Sequence, residues 1–390
     1  MNLSLENSSS LENRSAEEEY YYYYYEEKSP EMVSVAAPFI VPMMGYVYPI
    51  LALMTLITNT VVVTIFSKKM RTPTSIILVA LALSDTLTCL CMLPDAVYLY
   101  TLKNYRTYLP FGWCLYRHYI TADLYRVTRT CSNWITVVLG LQRYVVVRLP
   151  FKAKKICSSR HSIIACIVAC VIAITVHLNL FLFIEVHPLP VTSKTNETFV
   201  DSCYLTVADY YIKVVGDIKR AVMLYYVISG VLSRFLPCLL LLVFTCLLVH
   251  ELRKGQRFIV SACENSNSKR NTKQITQFVV AILVIFLLSE LHDAIAFGIY
   301  VYEIAADKVA SVLTQKVDAI WDYVGMMLSL VGFQCNFWIY MLMSSQFRSA
   351  LKSLCFSSVR HESVTTTSTL APLQGKRTMA DINTLDSDKE

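Results

Sequence analysis

The chain has 390 residues, 55% of them hydrophobic and 16% charged, with a formal net charge of +6. Soluble domains carry about 25% charged residues, and disordered or collagen-like chains are rich in Gly and Pro; 10 Gly and 12 Pro in so apolar a chain exclude those classes. Its 13 Cys show no CxxC spacing, which indicates neither a zinc site nor a dense disulfide framework.

Residues 1–42 come first and hold eight acids against Arg14 and Lys28. Glu17-Glu18-Glu19, six consecutive tyrosines (Tyr20 to Tyr25) and Glu26-Glu27 follow one another. Such a composition cannot bury a core and predicts a disordered tail. It is read either as a solubilising arm or as an acidic aromatic arm that attracts a basic ligand, with or without tyrosine sulfation. Asn2, Asn7 and Asn13 lie there in N-x-S/T sequons, and Asn196 lies in another; all four are candidate glycosylation sites.

Crossing about 30 Å of hydrocarbon takes roughly 20 mostly apolar residues. Met43 to Phe66 is a run of 24 without a charge, and Ser75 to Tyr100 is apolar except for Asp85 and Asp95. Thr130 to Gln142 is uncharged and extends outward through a more polar turn to about Trp113. Ile163 to Ile184 has no Asp, Glu, Lys or Arg, and Ala221 to Val249 is broken only by Arg234. Ile275 to Tyr302 contains Glu290, His292 and Asp293, and Tyr323 to Ser345 is uncharged. These seven runs predict an all-α membrane protein, a seven-transmembrane helix bundle over 43–344. A short amphipathic helix over 345–356 and a disordered tail over 357–390 follow it.

Loop charge orients the bundle. The first, third and fifth connections hold 14 Lys and Arg and the other three hold 8. The odd connections are therefore expected in the cytoplasm and the N-terminus outside, where all four sequons then fall. No apolar signal peptide precedes the first span, so that helix is expected to act as its own insertion signal. In the C-terminal tail Ser363, Thr365, Thr366, Thr367, Ser368 and Thr369 form a cluster. Phosphorylation would add about −1.5 to −2 charge per site. Cys355 is a palmitoylation candidate at the membrane edge.

Polar groups inside a bilayer are costly and point to function by default. They fall here in order: Asn59 in the first helix, Leu81-Ala82-Leu83-Ser84-Asp85 in the second, and Gln142-Arg143-Tyr144 closing the third. Phe235-Leu236-Pro237 interrupts the fifth, and Asn336-Phe337-Trp338-Ile339-Tyr340 closes the seventh. In this order the motifs resemble those of rhodopsin-like G protein-coupled receptors over about residues 43–356. Within that class the runs Trp134 to Tyr144 and Phe286-Leu287-Leu288-Ser289-Glu290-Leu291 resemble invertebrate neuropeptide receptors of the sex-peptide, myoinhibitory-peptide and myosuppressin/FMRFamide group. Glu290 stands where most of the class has tryptophan, and Asn336-Phe337 where most have Asn-Pro.

The resemblance implies a disulfide between Cys114 and Cys203, although the 29 residues from Cys114 to Arg143 are about one helical turn more than usual. It also implies a polar core of Asn59, Asp85, Ser132 and Asn336 around a sodium ion. Gly332 and Phe333 on the neighbouring turn weaken a full sodium shell, and an ion-free hydrogen-bonded network fits as well. Arg143, Tyr144 and Tyr340 are implied as the switch that meets the G protein. Departures from the family pattern are Gln142 in place of the acid before Arg143, Thr272 in place of an acid on the sixth helix, and His292 in place of a proline. The fourth helix also lacks its tryptophan. The usual cytoplasmic ionic lock is thus unavailable, which predicts loose restraint of the inactive state.

Charges in the outer halves include Asp123, Arg126 and Arg129, Arg234, Glu290 and Asp293, and Asp318 and Asp322. They are expected either to pair internally or to line a water-filled vestibule. The vestibule reading makes Arg126, Arg129, Arg234, Glu290, Asp293 and Asp322 the candidate ligand-binding set, with Glu290 suited to a ligand guanidinium. The expected partners are an extracellular peptide, short and amidated by resemblance, a heterotrimeric G protein, arrestin and receptor kinases through the tail, and the lipid bilayer. Nucleic acid is not expected, nor is catalytic chemistry, since no nucleophile elbow, metal-protease helix or phosphate loop occurs. A chemosensory receptor for small molecules shares the fold. A transporter would show paired repeats with broken helices, and a retinal protein a lysine between Tyr323 and Ser345; neither occurs.

Overall fold

A computed structural model of the chain describes residues 39–69, 71–106, 108–192, 199–215, 224–225, 227–260, 284, 291–292, 295, 298–299, 302, 315–343 and 345–354. In lipid a backbone must satisfy its own N–H and C=O groups, so long apolar runs become helices. The first is α1 (Ile40–Lys68) and the second α2 (Pro73–Thr101). Thr72 starts α2 with a capping box: Thr72 Oγ1 accepts from Ser75 N at 3.1 Å and Ser75 Oγ accepts from Thr72 N at 2.6 Å. Pro73 at the first helical position lacks only an N–H that would have had no partner.

Three abutting stretches, Phe111–Tyr116, π-helical Arg117–Leu124 and Tyr125–Arg148, make α3. The short α4 (Pro150–Ile156) leads to α5 (Ser159–Phe183), which Ser158 caps. Strands β1 (Ile184–Thr192) and β2 (Phe199–Val207) pair antiparallel with Cys203 opposite Pro188. After α6 (Asp209–Val215), α7 begins at Val227, passes a π-helical turn at Val231–Phe235 and runs on as Leu236–Val260. Next comes α8 (Gln315–Met343), then α9 over 345–354.

Thus α1, α2, α3, α5, α7 and α8 are the first to fifth and the seventh expected spans. The seventh starts eight residues earlier than hydropathy suggests, so Asp318 and Asp322 lie on its backbone. Of the sixth span, the described residues 284, 291–292, 295, 298–299 and 302 are helical. Thr272, Glu290 and Asp293 lie outside the described residues, as do Asn2, Asn7, Asn13, Asn196, Cys355 and both tails. Five described helices are long and apolar enough to cross a membrane: α1, α2, α5, α7 from Val227 to Glu251, and α8 from Tyr323 to Leu342. In α3 the 24-residue lower stretch would cover about 36 Å, but it carries several arginines.

The exposed faces are those of a lipid-bathed bundle. On α5 Ile163, Ile167, Val171, Ile174, Leu178 and Leu182 all face outward. An apolar stripe of that length is rare on a soluble monomer and natural against acyl chains. Inside, Met44, Tyr48 and Ala52 of α1 pack with Cys89, Ala96 and Leu99 of α2 and Met327, Leu330 and Phe333 of α8. The N-terminal end of α1 and the C-terminal end of α2 come so close that a Cβ on Gly45 would stand 3.2 Å from the carbonyl of Tyr100, and Thr101 Oγ1 donates to Gly45 O at 2.6 Å.

Cys114 and Cys203 are joined in a disulfide with Cα atoms 6.4 Å apart, which ties the hairpin to the N-terminal end of α3. Hydrogen bonds in Arg117–Leu124 follow the i→i+5 pattern, which fits more residues into each turn and takes up part of the extra length between Cys114 and Arg143.

Candidate functional site

The half of the bundle beside the Cys114–Cys203 disulfide holds charges between helices. Asp95 of α2 accepts from Trp113 Nε1 at 3.0 Å and has Arg117 Nε at 3.9 Å, both from α3. Tyr98 lies against the Trp113 ring at 4.0 Å between centroids. Tyr100 and Tyr323 share a hydrogen bond of 3.0 Å that joins α2 to α8. Asp123 is fully buried; its Oδ1 accepts from Arg126 Nη1 at 3.1 Å and His118 Nε2 lies 3.7 Å from its Oδ2. Arg126 keeps 44% of its side chain exposed while making that pair. Arg129 Nη1 donates to Tyr125 OH at 2.9 Å, and Arg234 is half-buried on the π turn of α7. The side chain of Asp322 is outside the described set.

A lone charge facing acyl chains would be expensive. Asp123 and Arg126 lower that cost by pairing, as do Asp95 and Arg117. This leaves α3 with a polar N-terminal third and a more apolar stretch from Thr130 to Leu141.

Deeper in the bundle Asn59, Asp85 and Ser132 are each 1% exposed, and Ser132 Oγ donates to Asp85 Oδ1 at 2.5 Å. Ser84 Oγ donates to Thr128 O at 2.8 Å and fastens α2 to α3 beside them. The amide nitrogen of Asn59 is buried without a hydrogen-bond partner among the described residues. The Asn336 side chain is outside the described set. Carboxylate and hydroxyl oxygens are hard donors and fit a hard cation, while no cluster of three or more His, Cys, Asp or Glu able to hold a metal occurs among the described residues.

At the Arg143 end of α3 Gln142 is buried and its Nε2 reaches Ser162 Oγ of α5 at 3.5 Å. Its Oε1 and the Arg143 Nε have no hydrogen-bond partner among the described residues. Tyr144 is half-buried. Tyr340 is buried with its ring edge-on to Phe66 at 5.1 Å. One turn below, Arg148 Nη1 and Glu251 Oε1 form an ion pair of 3.4 Å between α3 and α7.

Several of these contacts go beyond the sequence reading. Gln334, next to Phe333, donates from Nε2 to Leu51 O at 3.0 Å and to Thr55 Oγ1 at 3.2 Å, fastening α8 to α1. Asn133 and Trp134 of α3 donate to carbonyls of α7. His177 of α5 meets Thr130, Ser233 and Tyr225. A signal for His177 is present in the sequence, where it is the one Asp, Glu, Lys, Arg or His between Ile163 and Ile184. The partners of Asn133, Trp134 and Gln334 lie on other helices, and no local pattern marks them.

The sequence pattern of a receptor family described as serpentine type 7TM GPCR chemoreceptor Srw matches residues 46–358. The sex peptide receptor of Drosophila melanogaster is 25% identical over 334 residues, which cover 81% of this chain and 73% of that protein. Sex peptide receptor-related protein 2 of Caenorhabditis elegans is 26% identical over 323 residues, 80% of this chain and 70% of that one. The G-protein coupled receptor dmsr-1 of Caenorhabditis elegans is 27% identical over 347 residues, 74% of this chain and 63% of that one. With a match that spans the whole bundle, the chain belongs to the Srw family of seven-transmembrane G protein-coupled receptors, a multi-pass membrane receptor and not an enzyme.

Proposed function

We propose that this receptor is activated by an extracellular neuropeptide, short and amidated, and signals from the plasma membrane to a heterotrimeric G protein. The observation that carries the reading is the charged outer half of α3 and α7, where Asp123, Arg126, Arg129 and Arg234 stand in the bundle. A small apolar odorant has no use for such groups, whereas a peptide offers backbone amides and charged side chains to them. Relatives whose names denote peptide receptors support the same choice over a small-molecule chemoreceptor, the alternative the family's description suggests.

In this reading the N-terminus is outside and the C-terminal tail is cytoplasmic. Glu290, Asp293 and Asp322 complete the ligand vestibule with the three arginines. Agonist must bind the active state more tightly than the inactive one, or no population shift occurs. Arg143, with Tyr144 and Tyr340, then turns toward the G protein. Asp85 and Ser132 would hold a sodium ion, whose charge would bias the resting arrangement. The Ser/Thr cluster serves receptor kinases and arrestin, and Cys355 carries a lipid.

The test is a cell-based G protein assay on the full chain against a library of C-terminally amidated peptides. We expect at least one peptide to activate, and Arg234→Ala and Glu290→Gln to lower its potency tenfold or more at equal surface expression. Silence across the library together with a response to small volatiles would overturn the reading.

A further inference from the structure

The fifth span is irregular where the site lies. Val231–Phe235 is π-helical, so one turn holds an extra residue and its carbonyls are open to partners from outside the helix. Two partners come from α3: Asn133 Nδ2 donates to Ser233 O at 3.1 Å and Trp134 Nε1 donates to Leu232 O at 3.0 Å. A third link passes through α5. His177 Nε2 lies 2.9 Å from Thr130 Oγ1 of α3 and 3.1 Å from Ser233 Oγ of α7, and its Nδ1 lies 3.3 Å from Tyr225 OH. With the proton on Nδ1, the single lone pair of Nε2 is shared by the two hydroxyls and Nδ1–H donates to the phenol, which uses both nitrogens of a neutral imidazole. His177 is 4% exposed. One side chain thus joins three chain segments through a group that is costly to place in a membrane.

Arg126 and Arg234 both lie within electrostatic reach of His177. The hub is therefore near two of the arginines assigned to the ligand vestibule. Arg234 follows Ser233 directly, so the conformation of the π turn sets the direction of its side chain.

We infer that His177 is a positioning residue: with Thr130, Asn133 and Trp134 it holds the π turn of α7 and thereby aims Arg234 at the bundle interior. This rests on the proposed place of Arg234 in the vestibule. Each residue of an α-helix turns the chain by about 100°. Relaxation of the π turn to α, which drops one residue from the turn, swings Arg234 away by an angle of that order. His177 acts on the ligand site without touching ligand.

Thiol labelling of the full chain on intact cells tests it without any ligand. Arg234→Cys and, as a control elsewhere in the vestibule, Arg129→Cys are exposed to a membrane-impermeant cationic methanethiosulfonate, with the labelling of the parent chain subtracted. We expect His177→Phe to slow labelling at position 234 at least fivefold and to leave position 129 within twofold. His177→Gln, which keeps a donor and an acceptor, should restore position 234 to within twofold. General loosening of the bundle would move both positions together, and that outcome overturns the inference, as does an unchanged rate at 234. Should His177→Phe fail to reach the surface, Ser233→Ala and Thr130→Val each remove one bond of the hub and are expected to slow position 234 at least twofold. Unchanged rates in both overturn the inference. No labelling at 234 in the otherwise native chain, beside ready labelling at 129, overturns the vestibule assignment of Arg234 and the inference with it.

Discussion

At position 142 a neutral amide stands beside Arg143, where the receptor class places a carboxylate. Gln142 is buried and its contact with Ser162 is long, at 3.5 Å, so it restrains the helix end weakly and offers the guanidinium no charge. A carboxylate there would accept from Arg143 and favour the resting state, a coupling of about 1 kcal/mol or more. Gln142→Glu should therefore lower agonist-free nucleotide exchange in membranes by about fivefold. At Ser132 the reasoning concerns stability. Its hydroxyl donates to a buried carboxylate, and loss of a donor to a buried group costs about 1–3 kcal/mol. Ser132→Ala should lower the thermal midpoint of the purified receptor, whereas Ser132→Thr should largely preserve it. Asp85 and Ser132 can be picked out from sequence because any polar group in an apolar run is conspicuous. Gln334 and Asn133 are equally buried and polar, yet their roles come from carbonyls on another helix, which no reading along the chain can locate.

Pairs of helices carry the next level. The approach of α1 to α2 at Gly45 is tight for any side chain, because the Tyr100 carbonyl it would press on is backbone and would have to give by a few tenths of an ångström. Gly45→Val should force these helix ends apart at a cost of about 1–3 kcal/mol, read as a loss of surface expression that growth at lower temperature partly restores. At the other end Arg148 and Glu251 link α3 to α7. Arg148 is 48% exposed in this pair, so the link is worth no more than about 1 kcal/mol. Glu251→Gln should raise agonist-free activity by at most about fivefold, and the exchange Arg148→Glu with Glu251→Arg should bring it back. Loss of the usual cytoplasmic lock was expected from Gln142 and Thr272. The Arg148–Glu251 pair links the same ends of α3 and α7, and it escapes notice in sequence because the two residues are 103 apart.

Across the whole molecule the +6 charge is a sum over two sides of a membrane. An acidic N-terminal arm and basic odd-numbered connections place the excess cations toward one face, which is the orientation of the proposed receptor. An epitope tag at the N-terminus should stain intact cells and a tag at the C-terminus only permeabilised ones; the reverse pattern would contradict the orientation. Hydropathy marks the described spans well because burial in lipid is averaged over some 20 residues, and a shift of a few residues hardly changes the average. For the same reason it is blind to π-helical turns, which alter the phase of a helix and not its apolarity. The turns at Val97–Thr101, Arg117–Leu124 and Val231–Phe235 are invisible to it.

The π-helical stretch of α3 also sets the ruler by which this receptor is compared with its relatives. Positions counted inward from Cys114 cross Arg117–Leu124 and drift out of phase by the surplus of that stretch. Counting outward from Arg143 stays in step through the regular helix as far as Tyr125. A position counted from Cys114 therefore meets α3 at a different azimuth from one counted from Arg143. The π-helical stretch thus works as a joint in the numbering: it turns the Cys114 end of α3 relative to the Arg143 end, which keeps the regular α-helical phase.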